Sequence, residues 1–487
     1  MSVSRGVLQS SAILALIQLF QKSLGFVSTL ILARLLLPEH FGVVAMVMIC
    51  LMLFENIADA GNEHYTLQKR ELTAEDLHTA WSFDLLLKSG ACLLLILLSP
   101  LLADYFRMPE LQQTLQVASL VLPIKALQNP QLLQFARELN YRPVLLLSMI
   151  QKLLAFLVTV TLAWLYPSPW PLIIGALVSA LVYSGGSYLV CYFRPHWQLR
   201  HLTAQWHFSK WIMLRGFIGF CRFQADNILV SRRFDTAALG GYNLLRELSI
   251  LPAIALIIPC SQPLQAAIAR DKTAEGYRLR LSLLLLLLLL LPITLFAMAY
   301  PDLIVSTLLG SQWLSYSGLL VPFACFFLTF CLFDLLSNAT LATGRSKLLF
   351  WFDLWSTLLV VAVLVLIPTA ALLEMAWLRA LIAILTTLAL LLLLERHCQF
   401  GLIRLSVLTL PYLLLALGCW QLTELLIAVQ PAQPLLELAL RISCYFSAYA
   451  ITLVLLTLTL RHRILECQQL AQPLQQGLRW LRQRLEH

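Results

Sequence analysis

Thr29–Val47 reads TLILARLLLPEHFGVVAMV. It is the end of one apolar helix, a short charged corner at Arg34–His40, and the start of a second apolar helix. A related pattern returns at Asn227–Leu244, NILVSRRFDTAALGGYNL. A shift of 198 places Arg34 on Arg232, Gly42 on Gly240 and Leu30 on Ile228. A second echo sets SPLLADYF (Ser99–Phe106) against YPDLIVSTLLG (Tyr300–Gly310), with Pro100 opposite Pro301 at a shift of 201. Two echoes in the same order at nearly the same shift predict two copies of one helical unit.

Composition gives that unit its solvent. The chain is 60% hydrophobic and 12% charged. A soluble protein carries about twice that charged fraction. Apolar runs long enough to cross a ~30 Å hydrocarbon layer recur along nearly the whole length. Continuous Leu and Ile, with no alternation, choose helices over a barrel. The expected fold is therefore all-α and integral to a membrane. About fourteen spans are expected, near 10–33, 41–58, 79–103, 112–135, 143–165, 171–193, 209–231, 238–266, 279–300, 315–342, 347–367, 371–394, 405–428 and 435–460. The first is too long for a cleaved signal, and Gln18, Gln21 and Lys22 interrupt it.

Loop cations set the orientation. One set of loops carries Arg5, Lys69, Arg70, Arg137, Arg142, Arg194, Arg200, Lys210, Arg270, Lys272, Arg278, Arg280, Arg345, Lys347, Arg396, Arg404 and the arginines of the tail. The opposite set carries only Arg34, Arg107, Arg232 and Arg233. Both termini are expected in the cytoplasm. The net charge of +9 then reads as attraction to anionic membrane lipid, with no nucleic-acid partner. The eleven cysteines are scattered, without CxxC or metal spacing. No nucleophile motif or phosphate-cradling glycine loop is present, so no enzyme, metal or cofactor is expected.

Charge inside the spans is the functional signal, because it is costly in lipid and belongs against protein or a wet cavity. Gln18, Gln21, Lys22, Gly25, Ser28 and Thr29 share one face of the first span. Arg215, Gly219, Arg222 and Asp226 do the same in the seventh, the helix paired with it by the repeat. Arg222 and Asp226 also have the spacing of a local i,i+4 pair, as do Asp84 and Lys88. Further polar groups are Glu55 and Asp59, Lys125, Gln128 and Asn129, Asn243, Arg246 and Glu247, and Asp334 with Asn338. Lys152, Asp353 and Arg379 are expected to snorkel towards water. Between 405 and 460 the only charges are Glu424, Glu437 and Arg441, and Leu283–Leu291 is unbroken leucine. Those surfaces are expected to face lipid. The chain thus divides into a lobe at 1–193, a second at 194–400, a helix pair at 401–460, and an amphipathic cytoplasmic tail at 461–487. Pro252, Pro259 and Pro263 mark a kinked eighth span.

ILARLLLPEHFGVVAM (Ile31–Met46), IADAGNEHYTLQKRELTAEDLHTAW (Ile57–Trp81) and ADNILVSRRFDTAALGGYNLLRELSILP (Ala225–Pro252) resemble the polysaccharide transporter family. These are Wzx-type flippases of lipid-linked oligosaccharides, within the multidrug/oligosaccharidyl-lipid/polysaccharide exporter superfamily. The resemblance is strongest over 1–130 and 205–320 and weak after about 345. It implies two pseudo-symmetric six-helix lobes around a central cavity, with two extra helices. It also implies transfer of an undecaprenyl-pyrophosphate-linked sugar unit to the periplasmic leaflet of a bacterial inner membrane by alternating access. Lys22, Arg215, Arg222, Lys125 and Arg246 are then candidates for the pyrophosphate. Gln18, Gln21 and Asn243, with Asn129, Asn227 and Asn338, are candidates for the sugars. Asp226, Glu247, Asp334 and Glu55 are candidates for coupling to an ion gradient of unread identity. Membrane lipids, a polysaccharide polymerase and other export proteins are the implied partners. A drug or cation antiporter of the same superfamily would need a cavity with surplus acid. A membrane polymerase or ligase would need large outer loops.

Overall fold

A computed structural model describes residues 2–59, 61–62, 69, 72–138, 140, 142–200, 202–253, 275–427, 433–460, 466 and 468. Side chains are described from residue 16, except at 136, 204, 208, 211, 215 and 460. Among these residues every regular element is a helix. The first part runs α1 (Ser2–Leu35), α2 (Pro38–Ile57), α3 (Ala74–Phe106), α4 (Pro109–Ser119), α5 (Val121–Ala126), α6 (Gln131–Arg137), α7 (Arg142–Leu165), α8 (Trp170–Val190), α9 (Leu202–Arg233) and α10 (Thr236–Pro252). The second runs α11 (Glu275–Ala299), α12 (Pro301–Leu308), a 3₁₀ turn (Ser311–Leu319), α13 (Leu320–Ala342), α14 (Ser346–Leu366), α15 (Leu372–Cys398), α16 (Leu402–Leu426) and α17 (Pro434–Leu460).

Eleven of these helical stretches are long and apolar enough to cross a membrane. Three expected spans are not among them. The fourth, 112–135, is broken into α4, α5 and α6, with Pro123 and Pro130 in the way. The seventh is α9, 32 residues long but carrying Lys210, Arg215, Arg222, Asp226, Arg232 and Arg233. The eighth begins as α10; its second half, with Pro259 and Pro263, lies outside the described residues. So does the tail, apart from Glu466 and Gln468.

The chain packs as two compact units, Met1–Glu247 with Leu354–Ala376, and Leu248–Asp353 with Trp377–His487. In the first unit α1 packs on α7, α7 on α8, and α2 on α9. Leu37 is extended and Pro38 opens α2, where its missing N–H costs nothing. Just inside that corner the two sequence copies meet. A Cβ on Gly42 would lie 1.9 Å from the Thr236 carbonyl oxygen, and one on Gly240 would lie 2.0 Å from that of Pro38. The shift of 198 puts Thr236 on Pro38, so the contact is reciprocal under the repeat. Glycine is required at both places because the neighbour is backbone and cannot turn aside.

A capping box starts α3: Thr73 Oγ1 accepts from the Asp76 N–H, and Asp76 Oδ2 accepts from the Thr73 N–H. The segment after α8 is strapped to neighbouring helices. Asn129 Nδ2 donates to the Phe193 carbonyl at 2.7 Å, and the His196 N–H donates to His78 Nδ1 at 3.1 Å. The Gln198 N–H donates to Ser82 Oγ at 2.9 Å.

The second unit corrects two expectations about lipid-facing surfaces. Of the leucine run, Leu283, Leu284, Leu286, Leu288 and Leu290 are buried, and only Leu285 and Leu289 are exposed. A helix that is apolar all round has no polar face to mark which side meets protein. Arg441, in α17, is buried and pairs with Glu424 at 3.0 Å and Glu437 at 2.9 Å, lying over the Tyr300 ring. The three charges of the helix pair thus tie α16 and α17 together. Arg379, expected to snorkel, is buried against the Phe326 ring instead. The outer faces of α16 and α17, with Ile403, Leu414, Leu425, Leu435 and Ile451, are exposed and apolar.

Candidate functional site

The polar groups of the first unit fall into three places. The first is a chamber of about 590 Å³ among α2, α3, α5, α7 and α8, walled by Glu55, Lys88, Lys125, Gln128, Gln151 and Tyr183, with Met48, Met52 and Leu122 between them. A smaller space of about 190 Å³ adjoins it, sharing Lys88 and Gln128 and adding Asp59, Asn62 and Asp84. The larger volume lies within the ~300–1,000 Å³ usual for small-molecule sites. Glu55 and Lys125, read from the sequence as acid and anion-binder separately, form one pair at 2.7 Å, each about two-fifths exposed to the chamber. Lys88 pairs with Asp84 at 2.7 Å, as its i,i+4 spacing predicts. Asp59 accepts from the Gly61 N–H at 2.8 Å. Both lysines are therefore matched, and over the two adjoining spaces together, with Asp59, the carboxylates outnumber them three to two. Neutral hydroxyl-rich groups and cations suit the two spaces taken together better than a free anion does.

The second place is between α9 and α10. Asp226 is wholly buried. Its Oδ1 takes Arg246 at 2.9 Å and its Oδ2 takes the Tyr242 hydroxyl at 3.1 Å. The other Arg246 nitrogen donates to the Phe223 carbonyl at 2.7 Å, and the guanidinium lies 4.3 Å from the Phe223 ring centre. Each charge here is satisfied away from solvent, so this pair stitches two helices together. Next to it Asn227 donates to Asn243, and Asn243 donates to the exposed Glu247 at 3.3 Å. Arg222 is half-buried on the same helix and has partners of its own. The side chain of Arg215 lies outside the described residues.

The third place is the α1–α7 seam. Gln18 and Lys22 are exposed and Gln21 is half-buried. Lys152, expected to snorkel, sits mid-helix on α7. Its ammonium lies 3.8 Å from where a Cβ on Gly25 of α1 would be. Lys22 is close enough to act electrostatically on it. The distance of Lys152 along the sequence from both helix ends leaves it no short path to water.

Asp334 and Asn338 are half-buried on α13 in the second unit. Asn129 is buried and committed to Phe193, Ser187 and Gln131. Among the described residues no group of His, Cys, Asp or Glu is arranged to hold a metal.

The polysaccharide biosynthesis protein family matches residues 31–318. The succinoglycan biosynthesis transport protein ExoT of Rhizobium meliloti is 27% identical over 297 residues, 60% of each chain. The lipopolysaccharide biosynthesis protein WzxC of Escherichia coli is 24% identical over 357 residues, 70% of this chain and 71% of that one. Among solved structures, the lipid II flippase MurJ in an inward closed conformation superposes with a TM-score of 0.75 at 15% identity, over 90% of this chain and 98% of its own. An inward-facing multidrug resistance MATE transporter follows at 0.57 and 13% identity, over 81% and 99%. The multi-pass helical fold and the matched stretch, which contains the Thr29–Val47 corner almost whole and all of its second copy, make this chain a member of the polysaccharide biosynthesis protein family.

Proposed function

We propose that the protein is a flippase. It carries an undecaprenyl-pyrophosphate-linked oligosaccharide from the cytoplasmic to the periplasmic leaflet for export of a cell-surface polysaccharide. The observation that carries this reading is the ion-paired chamber inside a bundle of apolar spans. Charges at that depth are retained where polar cargo or ions pass. The names of the relatives, a succinoglycan transport protein and a lipopolysaccharide biosynthesis protein, supply the class of cargo. Sugar hydroxyls would meet Gln128, Gln151, Tyr183 and the Glu55–Lys125 pair. Transport proceeds by alternating access between two six-helix lobes, 1–193 and 194–400, flanked by the pair at 401–460. An ion gradient drives it through Glu55, Glu247 or Asp334; Asp226, read from the sequence as a coupling acid, is committed to Arg246 and Tyr242 instead. The protein sits in a bacterial inner membrane with both termini cytoplasmic, acts as a carrier and not as an enzyme, and hands its product to a polymerase and other export proteins.

A second reading, a cation or drug antiporter, has one observation in its favour: the surplus of carboxylate over the two adjoining spaces. The test is to delete the gene and ask which leaflet holds the lipid-linked sugar in permeabilised cells. The flippase reading expects accumulation on the cytoplasmic side. Intact glycan export with raised drug sensitivity would replace it with the antiporter.

A further inference from the structure

The smaller of the two adjoining spaces lies at the end of α2. Met48 and Glu55 of α2 wall the larger chamber, whereas Asp59 and Asn62, just beyond α2, wall the smaller one. The smaller space is thus nearer the loop that carries Lys69, on the face rich in cations, where the flippase reading loads its cargo. Lys88 and Gln128 stand between the two spaces. The volume of about 190 Å³ holds about six waters at ~30 Å³ each, room for one pyranose ring and not for two.

The wall keeps hydrogen-bonding capacity in reserve. Asp59 commits Oδ1 to the Gly61 N–H, and the buried Asp84 commits Oδ2 to Lys88. Among the described residues the second oxygen of each accepts nothing. The Lys88 ammonium has two further hydrogens to donate. The half-buried Gln128 amide has no side-chain partner among the described residues. Trp81 adds a flat indole face. Acceptors, donors and an aromatic face together match a pyranose, which has hydroxyls round its edge and C–H groups on its face. A metal ion would use the carboxylates and leave the indole and the amide idle. Charge then decides which pyranose fits. Two carboxylates face one ammonium, so a uronate would bring a third negative group to a single lysine. A neutral hexose meets no such repulsion.

We propose that this smaller space is a subsite for one neutral hexose of the glycan, set against Trp81, and that Asp59 and Asp84 make it reject the corresponding uronate. The assignment rests on the flippase reading and deepens it: the larger chamber takes the remaining sugars, and the smaller space reads a single unit.

The test places the full-length protein in phosphatidylcholine nanodiscs. Ligand-observed NMR then titrates the methyl glycosides of glucose, galactose and mannose, each beside its uronate. The subsite expects at least one neutral glycoside to bind at least tenfold tighter than its uronate at neutral pH. Asp59→Asn keeps the acceptor for Gly61 and removes a charge. It should narrow that gap at least threefold, with the neutral glycoside held within threefold. Gln128→Ala removes an amide that no described side chain uses. It should melt like the parent and bind the neutral glycoside at least fivefold more weakly. Equal affinity for glycoside and uronate overturns the subsite, as does unchanged binding in Gln128→Ala or no saturable binding of any of the three sugars. Export in cells keeps this apart from the wider reading. Deletion of the gene should block export, and Gln128→Ala should restore it only in part. Should Gln128→Ala restore it in full, the flippase stands and the subsite does not. Should deletion leave export intact, the flippase reading falls; hexose binding that persists is then that of a free sugar, and the glycan subsite falls for that separate reason.

Discussion

Asp226 and Glu55 are both carboxylates within helices, and their surroundings differ. Asp226 receives an arginine, a tyrosine hydroxyl and full burial. Arg246→Ala would leave that carboxylate buried and unpaired, at about 3–5 kcal/mol. The expected outcome is loss of folded protein, read as a fall in membrane levels and in melting temperature. The double variant Arg246→Met, Asp226→Leu should recover most of the stability, because it removes both charges together. Glu55→Gln is different in kind. The Glu55–Lys125 pair is open to the chamber, so its loss should leave membrane levels near normal and lower transport at least tenfold in the leaflet assay. Loss of folding in Glu55→Gln would instead make that pair structural. The sequence marks all these residues as misplaced charge, but gives no partner for those paired across helices. Local i,i+4 spacing finds Asp84–Lys88. Nothing in spacing finds Glu55–Lys125, 70 residues apart, or Arg246–Asp226, 20 apart.

The corner at Thr29–Val47 is where reading the sequence as elements succeeds best. The echo at a shift of 198 is weak in identity, yet at both of its glycines an added Cβ would meet the backbone of the other helix, α2 against α10. Such a contact leaves a trace in sequence because only one residue type fits. Gly42→Ala and Gly240→Ala should each destabilise by about 1–3 kcal/mol or more, seen as a lower melting temperature of purified protein. Gly219→Ala is the control, since a Cβ there meets nothing within 4 Å and should be neutral or slightly stabilising. Equal melting of all three variants would mean that the corner is not closely packed in solution. Elements without such a marker are less legible. The leucine run of α11 reads the same whether it faces lipid or Tyr449, whose hydroxyl in fact donates to the Leu288 carbonyl at 2.9 Å.

For the whole molecule, hydropathy gives the class, because it is a sum over many residues and tolerates local error; the loop arginines give an expected orientation by the same kind of sum. Span number is harder, since Pro123 and Pro130 break one expected crossing and α9 holds too much charge for its hydropathy to declare it. Orientation can be tested directly. Glu110 opens α4 beside Arg107, on the face poor in cations, and is exposed. Lys347 opens α14 on the face rich in them and is exposed too. Glu110→Cys and Lys347→Cys, each treated with a membrane-impermeant maleimide, should label differently. The first should react in intact spheroplasts, and the second only after permeabilisation. The background has native thiols, but the one just beyond α8 is silent: burial pushes the Cys191 thiol up to about 11, so near neutral pH it stays protonated and unreactive. The parent protein sets the baseline for the remainder. Labelling of Lys347→Cys in intact spheroplasts would reverse the molecule. The basic loops would then lie outside, and a substrate loaded from the cytoplasm would enter from the other end of the chamber.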